Sequence, residues 1–179
     1  MKFNATPLDG AFVIEVDAKI DERGSFGRVF CEREYRDHGL HTSFVQANFS
    51  FNSKKGTLRG LHFQADPHGE VKVARCTRGR AFYVIVDLRS KSKTHGKWFG
   101  VELTAENRKS LYMPVGFAGG FQTLEDDTEI HYLMGEYFHA DLARGVRFDD
   151  PQLAIKWPLP VSSISDRDKA LPLFTVAKL

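Results

Sequence analysis

An all-β sandwich or barrel is the fold this sequence predicts, and three observations predict it. Short runs enriched in β-branched and aromatic residues recur along the whole chain between turn signals. Helical periodicity is confined to two short stretches. At 179 residues and 42% hydrophobic, the chain can bury one sizeable core, so a single domain over residues 1–179 suffices.

The strand-like runs are residues 11–16, 26–30, 44–51, 58–64, 71–76, 80–88, 98–103, 111–113, 120–124 and 129–134. In the run 44–51, Val45, Ala47, Phe49 and Phe51 alternate with Gln46, Asn48 and Ser50, so one face is apolar and the other carries amides and a hydroxyl. An ordinary strand would turn that polar face to solvent. In a small barrel it lines the cavity and offers neutral donors and acceptors to a hydroxylated ligand. Short helices are expected near residues 34–38 and as a single turn over 166–170.

Lys+Arg of 25 against Asp+Glu of 23 leaves a formal charge of +2, too balanced for binding driven by nucleic-acid phosphates. The N-terminus has no apolar region of signal-peptide length, and no apolar stretch approaches a membrane span, so a cytoplasmic protein is expected. Cys31 and Cys76 have neither C-x-x-C nor zinc-ligand spacing and read as reduced thiols packed in strands.

The most informative segment is Arg59-Gly60-Leu61-His62-Phe63-Gln64, followed by Lys72. Strict alternation puts Leu58, Gly60, His62 and Gln64 on one face and Arg59, Leu61 and Phe63 on the other, unless Gly60 introduces a bulge. A lone strand histidine is most often satisfied by a core hydrogen bond. Here a lysine and an arginine keep it company, and the ordinary imidazole pKa of about 6.5 suits a base near neutrality.

These residues, with Asp21-Glu22-Arg23-Gly24-Ser25-Phe26, Gln46-Ala47-Asn48, Met113-Pro114-Val115-Gly116-Phe117-Ala118, Asp149-Asp150-Pro151 and Trp157-Pro158, resemble the dTDP-4-dehydrorhamnose 3,5-epimerase family across nearly the whole chain. The resemblance implies a cupin-like jelly roll with short peripheral helices, assembled as a homodimer. It implies a nucleotide-diphosphate-linked 4-keto-6-deoxyhexose as substrate, no metal or organic cofactor, and a place in bacterial surface-polysaccharide synthesis. It also assigns roles: His62 as base, Asp168 as its partner, Lys72 beside the C4 oxygen, and Tyr132 as acid on the opposite face. Arg59 and Arg23 fall on the diphosphate side and Phe26 on the nucleobase, with Arg23 and Phe26 reaching into the neighbouring subunit. Read without the resemblance, Asp168 is a solvated turn carboxylate, Lys72 a surface strand lysine and Tyr132 a satisfied buried phenol.

Two positions depart from the family pattern. Gly119 stands where a histidine usually follows Gly-Phe-Ala, which predicts a roomier pocket with one donor fewer, and hence a different hexose or inversion at one carbon. Arg28 stands where a glutamate commonly accepts the thymine N–H; an arginine instead matches paired acceptors such as those of cytosine, which points to a CDP-linked sugar. Two competing functions remain. A metal-dependent cupin oxygenase or isomerase needs histidines two apart on a strand, and Gln64 occupies the second place. A non-catalytic sugar-nucleotide-binding cupin rests on Gly119 and Arg28 alone.

Overall fold

The computed structural model describes residues 1–174. In chain order its strands are β1 (Lys2–Ala5), β2 (Phe12–Glu15), β3 (Lys19–Asp21), β4 (Gly24–Phe26), β5 (Gln46–Asn52), β6 (Leu58–Gln64), β7 (Lys72–Arg78), β8 (Arg80–Asp87), β9 (Trp98–Thr104), β10 (Ser110–Met113), β11 (Phe117–Thr123), β12 (Thr128–Met134) and β13 (Ala143–Gly145). Helix α1 (Glu32–Asp37) precedes β5, and α2 (Asp166–Lys169) follows β13. Two antiparallel sheets, ordered β1-β2-β10-β7-β12-β5 and β13-β6-β11-β8-β9, form the expected cupin-like jelly roll. The hairpin β3-β4 stands apart as a third, two-stranded sheet.

Period-two patterning explains which side chains meet between the sheets. On β8, Ala81, Tyr83 and Ile85 join Ala74 and Cys76 of β7 and Ile130 of β12 in the central core. The alternate β8 residues Val84 and Val86 pack outward with Leu61 and Phe63 of β6, under Val146, Leu153 and Trp157 from the C-terminal segment. Outside the other sheet, Ile14, Val73 and Tyr112 are covered by Phe3, Phe30 and Tyr35. The same alternation sends Lys72 on β7 and Tyr132 on β12 inward.

The alternating strand β5 inverts the usual pattern. Its polar residues Asn48 and Ser50 face the interior cavity, while Phe49 is 69% exposed on the outside. β5 is the edge of the six-stranded sheet, beyond the reach of the N-terminal cover.

The run 26–30 is a strand only at Phe26, where β4 ends. A Cβ at Gly27 would lie 2.3 Å from Val16 Cγ1, so glycine lets the chain pass close to the end of β2. β1, β3 and β13 were not anticipated; each is four residues or fewer, too short to show a period. Both cysteines are free thiols; Cys76 is buried in β7 as expected, whereas Cys31 is in no strand but is the half-buried residue that precedes α1.

At the end of β8 a fully buried Asp87 organises the β8-β9 connection. It accepts from Arg89 Nη2 at 2.7 Å, Thr94 Oγ1 at 2.6 Å and Ser92 Oγ at 2.5 Å. Burial works to raise this carboxyl, but the Arg89, Ser92 and Thr94 hydrogen bonds outweigh it and hold the pKa at about 2. A depressed native pKa stabilises the fold above the unfolded-state value and loses that contribution as pH falls through the native one. Asp87→Asn should therefore destabilise by about 2 kcal/mol at neutral pH. Wild type and variant should converge in chemical denaturation between about pH 4 and pH 2.

Candidate active site

A cavity of about 250 Å³ opens between the two sheets. His62 and Arg59 of β6 and Gly119 of β11 line it from one sheet; Asn48 of β5, Lys72 of β7 and Tyr132 of β12 line it from the other. Six of the residues anticipated from sequence thus converge on one space. Arg59 and His62 are an odd and an even position and would lie on opposite faces of a regular strand. The register of β6 against β11 runs His62↔Gly119 and then Arg59↔Phe121, so three residues on β6 span two on β11. This bulge at Gly60 brings both side chains to the cavity. Gly60 has φ +110°, and a Cβ there would sit 2.7 Å from Gly120 Cα. The two glycines are what allow the backbones to approach.

His62 Nε2 lies 2.7 Å from Asp168 Oδ1, and the other Asp168 oxygen accepts the Gly60 N–H at 3.1 Å. Asp168, only 4% exposed, is presented by α2, where its own N–H donates to the capping hydroxyl of Ser165 at 3.0 Å. Burial works to raise the Asp168 carboxyl, yet the hydrogen bond and charge of His62, with the Gly60 N–H, hold it below the usual carboxylate range. An ionised carboxylate only accepts, so Nε2 carries a hydrogen, and whenever the ring is neutral its lone pair is on Nδ1. That is the tautomer a base needs.

On the facing sheet, burial pushes the Tyr132 phenol up to about 12, against the pull of the Ser50 hydrogen bond and the Arg59 charge. Its hydroxyl is 3.4 Å from Ser50 Oγ. It therefore stays protonated near neutrality, as an acid should. Lys72 Nζ forms an ion pair with Glu70, both largely buried. Sequence reasoning missed Glu70; its place two residues before Lys72, on the same face of an extended chain, was the available signal. Arg59 Nε donates to Asn52 Oδ1 at 2.6 Å, and the Asn52 amide is fixed in turn by Thr128 O at 3.1 Å.

Other anticipated residues lie elsewhere. Gln46 does not line the cavity; its Oε1 accepts the Phe138 N–H at 2.9 Å. Arg23, Phe26 and Arg28 are on or beside the β3-β4 hairpin, away from the cavity of their own chain. Phe26 is 81% exposed, Arg23 pairs with Asp21, and Arg28 Nη1 pairs with Glu34 at 3.2 Å. The extra room expected at Gly119 is not there. A Cβ at that position would lie 2.9 Å from Met113 Sδ and 3.3 Å from the Tyr83 hydroxyl, so neighbouring side chains fill the space.

Among the described residues, no group of three His, Cys, Asp or Glu donors converges inside the cavity. His68, Glu136 and His139 do come together, but none of them lines it. Gln64, in the place where a metal cupin would carry its second histidine, accepts the His139 N–H at 2.8 Å and donates to His68 O at 2.7 Å.

The cupin-like jelly roll, with His62 and Tyr132 on facing walls of its cavity, and the relatives that share it make this an enzyme of the isomerase class acting on a sugar nucleotide. The chain belongs to the dTDP-4-dehydrorhamnose 3,5-epimerase family, whose model matches residues 5–175. It is 44% identical to the dTDP-4-dehydrorhamnose 3,5-epimerase of Methanothermobacter thermautotrophicus over 94% of this chain and 91% of that protein. The crystal structure of the Legionella pneumophila dTDP-6-deoxy-D-glucose-3,5-epimerase in complex with dTDP-4-keto-L-rhamnose superposes with a TM-score of 0.93 at 37% identity, covering 99% of this chain and 94% of that one. A 3'-monoepimerase from Streptomyces bikiniensis in complex with dTDP-quinovose gives 0.89 at 31% identity, covering 96% and 87%.

Asp168→Asn keeps the shape of the side chain and removes the charge that orders His62. Turnover should fall by roughly 10²- to 10⁴-fold with the melting temperature little changed. Turnover within threefold of wild type would separate the carboxylate from the chemistry.

Proposed function

We propose that the protein inverts a nucleotide-diphosphate-linked 4-keto-6-deoxyhexose at C3, at C5 or at both. The observation that carries this reading is the placement of His62 and Tyr132 on opposed sheets across one cavity. The C4 ketone acidifies the neighbouring C–H bonds. His62 Nδ1 takes the proton from one face of the sugar, and the electron pair moves into the C4 oxygen as an enolate. The Lys72 ammonium, held in place by Glu70, stabilises that oxygen. The Tyr132 hydroxyl returns a proton to the carbon from the other face, leaving a phenolate that is reprotonated as the imidazolium gives up its own proton. Atoms and electrons balance with no redox step.

Arg59, braced by Asn52 at the cavity wall, suits the diphosphate. The nucleotide follows the relatives, dTDP. Arg28 favours a second reading, CDP, because its guanidinium offers paired donors to cytosine; its contact with Glu34 leaves donors free for that purpose. A homodimer belongs to the same proposal. Ile20 and Phe26 are each 81% exposed on the hairpin, an apolar display that fits burial against a second copy carrying a nucleobase site. A solution mass of one chain would remove it.

The test is proton NMR in D₂O with dTDP- and CDP-linked 4-keto-6-deoxyglucose side by side, with His62→Ala as the control. The wild-type protein should wash out the C3 or C5 proton signal of one nucleotide form, and the variant should be slower by roughly 10²-fold or more. Washout undiminished in His62→Ala, or none with either nucleotide, would overturn the reading.

A further inference from the structure

The space a side chain at position 119 would take is bordered by Met113 and by Tyr83, a residue of the strand-like run 80–88. Tyr83 is 3% exposed, and its ring stacks on Phe121 of β11 with centroids 5.8 Å apart and planes at 24°. Alternation along β8 aims it between the sheets, where it joins Lys72, Tyr132 and Gly119 in the cavity wall. Its hydroxyl makes no hydrogen bond to any described residue and is open to the cavity. A buried phenol usually finds a partner, and leaving one without is costly. This one ends at the wall of the cavity, so the partner is what enters the cavity.

Gly119 and Gly120 differ in what they make room for. A Cβ at Gly120 would strike backbone, 2.6 Å from Arg59 O, so that glycine serves the bulge. A Cβ at Gly119 would meet only the side chains of Met113 and Tyr83. A side chain at 119 would have to displace Met113 and would crowd the Tyr83 hydroxyl. The family pattern has a histidine donor on this wall; here the donor arrives from the neighbouring strand.

We propose that the Tyr83 hydroxyl donates a hydrogen bond to an oxygen of the bound hexose and is a specificity-determining residue of this site. The inference rests on the sugar-nucleotide reading above. Burial, with the nearby Tyr132 and Glu70, pushes the Tyr83 phenol well above its ordinary value, so it remains a donor throughout the working pH range. A donor fixed in this wall favours hexoses that present an acceptor there and rejects those that present a methyl or a hydrogen, because the phenol would then stay unpaired.

The test uses calorimetric titration of the full-length protein with dTDP and with dTDP-6-deoxyglucose, which lacks the ketone and cannot react. The ratio of the two Kd values measures what the hexose adds. Tyr83→Phe keeps the ring on Phe121 and removes only the hydroxyl. It should reduce that ratio by about fivefold to tenfold while leaving the Kd for dTDP unchanged. A ratio equal to wild type within twofold would overturn the role of Tyr83 and leave the sugar-nucleotide reading standing. A wild-type ratio near one would overturn both. Should Tyr83→Phe fail to fold by circular dichroism, Tyr83→Met, also without a donor, is read by the same ratio.

Discussion

The carboxylate of Asp168 holds two donors at once, His62 Nε2 and the Gly60 N–H, and the site is organised around that double contact. Gly60 belongs to the bulge that turns Arg59 and His62 to the same wall. One side chain therefore fixes both the tautomer of the imidazole and the local path of the strand that carries it. The carboxylate comes from the end of the chain, on a single capped turn, while Leu153 and Trp157 of the same segment pack over the outer face of the sheet. Apolar packing outside the barrel thus delivers the buried charge inside it. Folding energy and site geometry are coupled through one segment.

Burial sets the acid and base character of the cavity. Two phenols there are pushed upward and stay protonated, whereas the Asp168 carboxyl is held down by its donors and stays ionised. Lys72 does not face the cavity as an isolated charge, since Glu70 pairs with it. The ion pair fixes the position of the Lys72 side chain where the enolate oxygen is proposed to develop. The cavity can therefore hold groups of opposite protonation habit a few residues apart at one pH.

The sequence made the fold legible where strands are long and patterned, as in β6, β8 and β12, and hid it where pairing alone makes a strand, as in β1, β3 and β13. His62 was visible from its position in a strand beside basic residues. Asp168 was not: it lies 106 residues further on in a charged turn, and only resemblance to a family marked it. Gly119 was seen as a departure, but its consequence could not be read from one position, because the side chains that border it, Met113 and Tyr83, come from β10 and β8. Tyr83 sits among Phe82, Val84 and Ile85, where a tyrosine reads as core. Gln46 follows the same alternation as Asn48, yet a loop backbone at Phe138 takes its amide.

The division of labour between the two sheets is the central claim, and it is tested most directly by Tyr132→Phe followed in D₂O with the 4-keto-6-deoxyhexose. Deuterium should still enter at the carbon that His62 deprotonates, while formation of the inverted sugar falls by roughly 10²-fold or more. Exchange and inversion lost together, or both kept, would contradict an acid on one wall acting on an enolate made from the other.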